Sequence, residues 1–244
     1  MQADAYAAEN NASAISFAGS RFSFGAGYGM WSPDFADSRI FALGGYAKIG
    51  SKFGLGLFGR KLSDTRNLVV TNENSVVTGS FTPSDLLAGL GASYAITDFL
   101  SVGVCAKYLS SSLAPDYNYS GIFAVLSATY ARNALRAGIA VSDLPSALMI
   151  KAGASYTIAG LTPAVEVDIP SGGGISASGS LEYGIVDIVF LRAGYHYGSQ
   201  GAALPSYASL GLGVKFAGFA LDAAYLLASD TLGGSLMAGL SYSF

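Results

Sequence analysis

The chain has 244 residues, enough for one large domain, with 51% hydrophobic residues and only 12% charged, about half the charged share of roughly 25% in soluble domains. A net charge of −3 gives no footing for a nucleic-acid partner, a single histidine, His196, excludes a multi-histidine metal site, and a single cysteine, Cys105, excludes an internal disulfide. No window holds the eighteen consecutive apolar residues of a membrane-spanning helix. The alternatives that remain are a large soluble β-sandwich and a membrane β-barrel. The 32 glycines, against about 17 at average usage, disfavour helices and suit strands where backbone packs closely.

The chain opens Met-Gln-Ala-Asp-Ala-Tyr, with no basic stretch leading into an apolar one, and reads as a mature chain whose export signal is gone. Residues Met1 to Gly19 are rich in Ala and Asn and lack full alternation. They form a separate N-terminal segment, 1–19, either a disordered terminus or a plug in a barrel mouth; the barrel domain is 20–244. From there the apolar positions follow period two. Candidate strands are 20–31, 38–49, 52–62, 85–96, 99–110, 118–130, 134–142, 147–157, 161–169, 174–184, 187–198, 206–216, 219–228 and 235–244. The last is typical: Leu236, Ala238, Leu240, Tyr242 and Phe244 on one face, Met237, Gly239, Ser241 and Ser243 on the other. Each segment is near the nine to eleven residues that cross a bilayer at about 45° tilt.

The connections alternate. Gly50-Ser51, Thr97-Asp98, Ala131-Arg132-Asn133, Ala159-Gly160, Ile185-Val186 and Ala217-Gly218 are tight; Ser32 to Asp37, Ser63 to Ser84, Ser111 to Tyr117, Ser199 to Pro205 and Ser229 to Gly234 are longer and polar. Tight periplasmic turns and longer outer loops are the rule for outer-membrane barrels, and an even strand count puts both termini in the periplasm. Phe53, Tyr94, Tyr130, Tyr156, Tyr183, Phe216, Phe219, Tyr242 and Phe244 fall on the outward face beside the tight turns, and Tyr28, Phe41, Tyr108, Tyr195 and Tyr225 make a second girdle. Amphipathic rings prefer the headgroup level, whereas a soluble sandwich gives no reason to gather them there. The expected fold is an all-β, transmembrane antiparallel barrel of about fourteen strands in the lipid of a bacterial outer membrane.

Phasing assigns Arg21, Lys48, Arg60, Lys107, Arg136, Lys151, Arg192 and Lys215 to the interior, with Glu166, Asp168, Glu182, Asp222 and His196. The interior is net basic by this count. Such charges either bind or conduct an anionic group or pair with one another and close the pore. Phe58, Phe123, Phe190 and Leu226 also face inward, leaving room for a small apolar pocket, and inward Gly211 and Gly213 leave space for residues 1–19 to approach the wall. Cys105 reads as a small filler. Gly54-Leu55-Gly56-Leu57-Phe58-Gly59 matches a dinucleotide fingerprint by letters but lies within an alternating strand, not before a helix. Asn11-Ala12-Ser13 is a glycosylation sequon by letters only. No catalytic set, cofactor or metal is expected. The long loop carries Val69, Val70, Val76, Val77 and Phe81 in two β-rich runs, expected as an external hairpin that recruits a protein partner or lies over the mouth as a lid.

Four segments carry a family likeness. Asp187-Ile188-Val189-Phe190-Leu191-Arg192-Ala193-Gly194-Tyr195-His196-Tyr197, the run from Tyr207 to Lys215, the run from Ser101 to Ser112, and Met30-Trp31-Ser32-Pro33-Asp34 resemble the PorV/PorQ family, within the FadL-like group of fourteen-stranded barrels. Phe244 resembles the aromatic end of an outer-membrane assembly signal. The resemblance implies a Bacteroidota-type outer membrane and a role with protein partners in type IX secretion or surface assembly. The outer loops are short for a cargo-receiving member, Ser63 to Ser84 excepted. The alternative within the same group is a FadL-like passive transporter, whose ligand would be a small hydrophobic or amphipathic molecule.

Overall fold

The computed structural model describes residues 4–32, 37–66, 68–71, 73–115, 117–145 and 148–244. Positions 1–3, Pro33, Asp34, Asn67, Asn72, Asp116 and Ala147, all within segments used above, lie outside the described residues. Three strands come first: β1 (Phe22–Trp31), β2 (Ser38–Ile49) and β3 (Phe53–Asp64). A short external pair follows, β4 (Leu68–Thr71) with β5 (Val77–Phe81). Then come β6 (Ser84–Ala95), β7 (Leu100–Ala114), β8 (Tyr117–Arg132), β9 (Leu135–Leu144) and β10 (Met149–Tyr156). The rest are β11 (Leu161–Pro170), β12 (Ser176–Ile185), β13 (Val189–Gly198), β14 (Tyr207–Phe216), β15 (Phe219–Leu227) and β16 (Leu236–Ser243). All of these except β4 and β5 pair antiparallel with their neighbours, and β1 closes on β16 from Ser23↔Ser243 to Met30↔Leu236. Among the described residues the result is a closed fourteen-stranded barrel.

Closure leaves no strand edge, which is what hydrocarbon requires of every backbone N–H and C=O. The faces follow the sequence period throughout. Leu43, Leu90 and Ile122 are 64%, 68% and 73% exposed on the outside, while Ser23, Ser93, Ser101 and Thr129 are buried on the inside. An apolar outer belt over a polar interior is the inverse of a soluble domain and suits a barrel solvated by lipid.

A two-residue turn of type I′ has both residues at positive φ, which matches the strand twist. Ala217 and Gly218 show it, at φ 50° and 86°. One loop differs from the sequence reading. The expected loop from Ser111 to Tyr117 is mostly strand: β7 and β8 continue past the belt, pairing Ser111↔Tyr119 and Ser112↔Asn118. Outside lipid the apolar alternation stops, but backbone pairing need not, so the pattern ends before the strands do.

The N-terminal segment lies inside the barrel. It forms one helical turn, α1 (Ala7–Asn10), and a 3₁₀ stretch over Ala12–Phe17. These pack on β2, β3, β6, β7 and β8.

Candidate functional site

The lumen wall has two unlike halves. On β1–β3 and β6–β8 the inward positions facing the N-terminal segment include many small residues. A Cβ built on Gly54 would fall 2.5 Å from Ile15 Cγ2, and one on Gly56 2.7 Å from the Ala8 Cβ. One on Gly103 would fall 2.4 Å from the Ser13 nitrogen. Glycine here admits the N-terminal segment to van der Waals contact with the wall. Ile15 is thereby 0% exposed. The letters of the Gly54–Gly59 run therefore describe a docking groove for the chain's own terminus.

Polar atoms of the segment are matched by wall hydroxyls. The Asn11 Nδ2 donates to Thr129 Oγ1 (2.9 Å), Ser13 Oγ donates to Asn11 Oδ1 (2.5 Å), and the Ser13 and Thr129 hydroxyls meet at 2.7 Å, closing a ring of three. The Ser13 amide donates to Ser127 Oγ (3.2 Å), and Ser101 Oγ donates to the Ser13 carbonyl (2.7 Å). Further along, Ser16 Oγ donates to Ser93 Oγ (2.9 Å), and Lys48 Nζ donates to the Ala18 carbonyl (3.2 Å). Glu9 reaches Arg60 at 3.0 Å. Asn11, letter for letter a glycan acceptor, has its amide committed to this network.

The other half of the wall, β9–β15, is charged. Arg192 is the hub: its Nε donates to Glu182 Oε2 at 2.6 Å and its Nη1 to Asp222 Oδ1 at 2.5 Å. Lys151 meets Asp168 at 3.5 Å, and Asp143 of β9 reaches Lys107 on β7, in the other half, at 3.8 Å. Arg136 and Lys215 face inward and form no ion pair among the described residues; the Lys215 ammonium sits 4.6 Å from the Phe190 ring centre. Glu166 lines a small cavity beside Lys151. His196 is buried, its Nδ1 hydrogen-bonded to Ser178 Oγ (2.9 Å) and its ring stacked on Tyr207 (4.9 Å). Cys105 is buried.

Several sequence assignments need correcting. Arg21 precedes β1 and is exposed, its guanidinium 5.3 Å from the Phe22 ring centre; one residue outside the strand, parity no longer fixes its side. Gly211 and Gly213 do not receive the N-terminal segment. Arg192 fills that space, with its Nη1 2.9 Å from where a Cβ on Gly213 would lie. The net basic count also changes, because Glu9 and Asp143 supply carboxylates that period-two phasing did not assign. In the external pair Val69, Val76 and Val77 are exposed, with Val70 and Phe81 partly covered.

Among the described residues, cavities border the N-terminal segment on three sides. The outer one, about 810 Å³, lies toward the long loops; Trp31, Ile40, Leu62, Leu87, Leu109 and Met237 give it a mainly apolar lining, with Glu9, Arg60, Asp85, Arg192 and Asp222 as its charged groups. Its apolar lining is thus not the expected set of Phe58, Phe123, Phe190 and Leu226, none of which borders it; Phe58 and Leu226 are packed shut at 4% exposure. The inner one, about 840 Å³, reaches the tight turns and is polar, with Asp4, Arg136, Glu182, Arg192 and Lys215 on its walls. A third, about 280 Å³, lies between the segment and β9–β11. Ser180, Arg192, Asp222, Gly239 and Tyr6 border both large cavities. The wall assignments of Ser93, Ser101, Ser127 and Thr129 as anchors were missed by sequence reasoning; the available signal was that these inward hydroxyls sit on the same strands as the inward glycines.

A closed fourteen-stranded barrel with an occupied, divided lumen defines a transmembrane barrel of FadL-like fold. The Pseudomonas putida toluene transporter TodX superposes with a TM-score of 0.72 at 15% identity, covering 99% of this chain and 94% of that one. The Ralstonia pickettii toluene transporter TbuX gives 0.67 at 13% identity, over 98% and 92%. A FadL homologue from Pseudomonas aeruginosa gives 0.63 at 12% identity, over 100% and 92%. No family model and no curated protein matches the sequence. At these identities the likeness is one of fold.

Proposed function

We propose that the chain is a non-enzymatic, passive transporter of small hydrophobic or amphipathic molecules, resident in a bacterial outer membrane with both termini periplasmic. The carrying observation is the apolar cavity of about 810 Å³ at the long-loop end, backed by a polar cavity of about 840 Å³ at the other. Apolar lining with a few polar groups is the usual make-up of a small-molecule site. The N-terminal segment acts as the plug between them. The toluene transporters TodX and TbuX, alike in fold, add support.

Trp31, the one tryptophan of the chain, borders the outer cavity and gives the test. Titration of the purified protein with toluene should change Trp31 emission saturably, and liposomes carrying the barrel should take toluene up faster than empty ones. A linear, unsaturable change with no uptake would overturn the reading.

A second reading keeps the PorV/PorQ role, a partner-bound barrel in secretion or surface assembly. Its support is the β4–β5 pair, with Val69, Val76 and Val77 exposed on a structure outside the barrel. Photocrosslinking from Val77 in whole cells should then trap one outer-membrane protein. No adduct, with transport intact, removes this reading.

A further inference from the structure

Tyr6 stands where the three cavities meet. It borders all three, and among the described residues no other side chain does. Its ring is seated in a niche without side chains. A Cβ on Gly44 would fall 2.8 Å from Tyr6 Cδ1 and 2.4 Å from the Ala5 carbonyl oxygen. Cβ atoms on Gly25 and Gly27 would fall 3.4 and 3.2 Å from the hydroxyl. That hydroxyl is buried and has no hydrogen-bond partner among the described residues. Burial, with the nearby Asp4 carboxylate adding to it, holds the phenol above its usual range, so it stays a neutral donor.

The rest of the segment is held differently. Ile15 is locked against Gly54 and Gly56, and Ser13 has its amide, carbonyl and hydroxyl all matched by the wall. The segment therefore has a fixed body, residues 8–18, and a head, residues 4–7, that makes no polar side-chain contact with the wall among the described residues.

We propose that Tyr6 is the partition residue of the lumen: swinging out of the niche made by Gly25, Gly27 and Gly44, it joins the outer and inner cavities while the body stays docked. This rests on the transporter reading and deepens it. The cavities on either side give the ring room to turn. In the seated position the hydroxyl has lost water and gained nothing; once out, it is hydrated again. An unmet buried donor thus keeps the closed position shallow. Moving one ring also costs far less contact than withdrawing Ile15 and the Ser13 network from the wall.

The test is planar-bilayer conductance of the full chain and three variants. Tyr6→Ala should raise ion conductance, because the ring no longer stands between the cavities and leaves only the Arg192 cluster at their border. Gly44→Ala should raise it too, by displacing the head that carries an unchanged Tyr6, since the added methyl meets the Ala5 carbonyl oxygen as well as the ring. Tyr6→Phe should lower the open fraction, by about fivefold or more, since the seated ring no longer buries an unmet donor. Heat-modifiable gel mobility confirms folding, and the two Tyr6 variants alter no strand. Conductance of Tyr6→Ala equal to that of the parent, or Tyr6→Phe conducting more than the parent, overturns the proposal. Toluene uptake in matched liposomes separates this from the function. Conductance that follows Tyr6 without any uptake keeps the partition and discards the transporter. Uptake indifferent to all three variants keeps the transporter and discards the partition.

Discussion

Leu212 and Ser209 sit three positions apart on β14 and meet different solvents. Leu212 is half exposed on the outer belt, and Ser209 borders the outer cavity. An Arg at position 212 places a guanidinium against hydrocarbon, at a cost of about 2–4 kcal/mol near mid-depth. At 209 the same side chain has the aqueous lumen. Leu212→Arg should therefore cut the refolding yield in lipid vesicles, and Ser209→Arg should leave it near the parent value; equal losses would refute the face assignment. Ser13 tests the interior in the same way. Ser13→Ala strips only the hydroxyl that joins Asn11 to Thr129, leaving buried partners unmet at a cost of about 1–3 kcal/mol. The expected result is faster proteolytic cleavage of residues 4–19 with the barrel intact. Unchanged cleavage would mean that glycine packing alone holds the segment.

At the scale of elements, what was legible follows from which solvent each element meets. Strands such as β14 and β16 could be read within one or two residues because lipid outside and water inside force every second side chain to alternate. Arg192, Glu182 and Asp222 line the lumen together, and their pairing needed the barrel to close; Glu9 and Asp143, outside any period-two face, gave no such signal. The N-terminal segment was not legible. Ala8, Ser13 and Ile15 carry no period of their own; their turns exist because Gly54, Gly56, Gly91 and Gly103, distant in sequence, leave a groove of their shape. The outer cavity escaped notice because its lining comes one residue at a time from separate strands. The segment is also the element whose removal is most informative. A fourteen-stranded barrel is wider than the eight-stranded type that side chains can fill, so something must occupy it. Small conductance is expected from the intact protein, and deletion of residues 1–19 should raise it well above that of any single Tyr6 variant. A large, stable conductance before deletion would show that the segment does not close the lumen.

For the whole molecule the open question is sidedness, and the barrel's asymmetry supplies an expectation. The rings of Phe22 at the start of β1 and Phe244 at the chain end lie 5.2 Å apart, so the start of β1 and the chain end share the end that carries the tight turns. The opposite end carries the β4–β5 pair and the extended β7–β8 hairpin, elements too long and polar to serve as inner turns. The usual barrel asymmetry puts long loops outside and tight turns in the periplasm. On that orientation the apolar cavity faces the exterior and the polar one faces the periplasm, the order a solute entering the cell would meet them. Cysteine labelling on whole cells decides it. The native Cys105 is 1% exposed and gives little background. Val77→Cys, on the exposed hairpin, should react with a membrane-impermeant maleimide on intact cells. Asn133→Cys, in the tight turn between β8 and β9, should react only after the outer membrane is permeabilised. If Asn133→Cys labels first, the barrel is inverted, the apolar cavity opens to the periplasm, and the proposed direction of uptake fails with it.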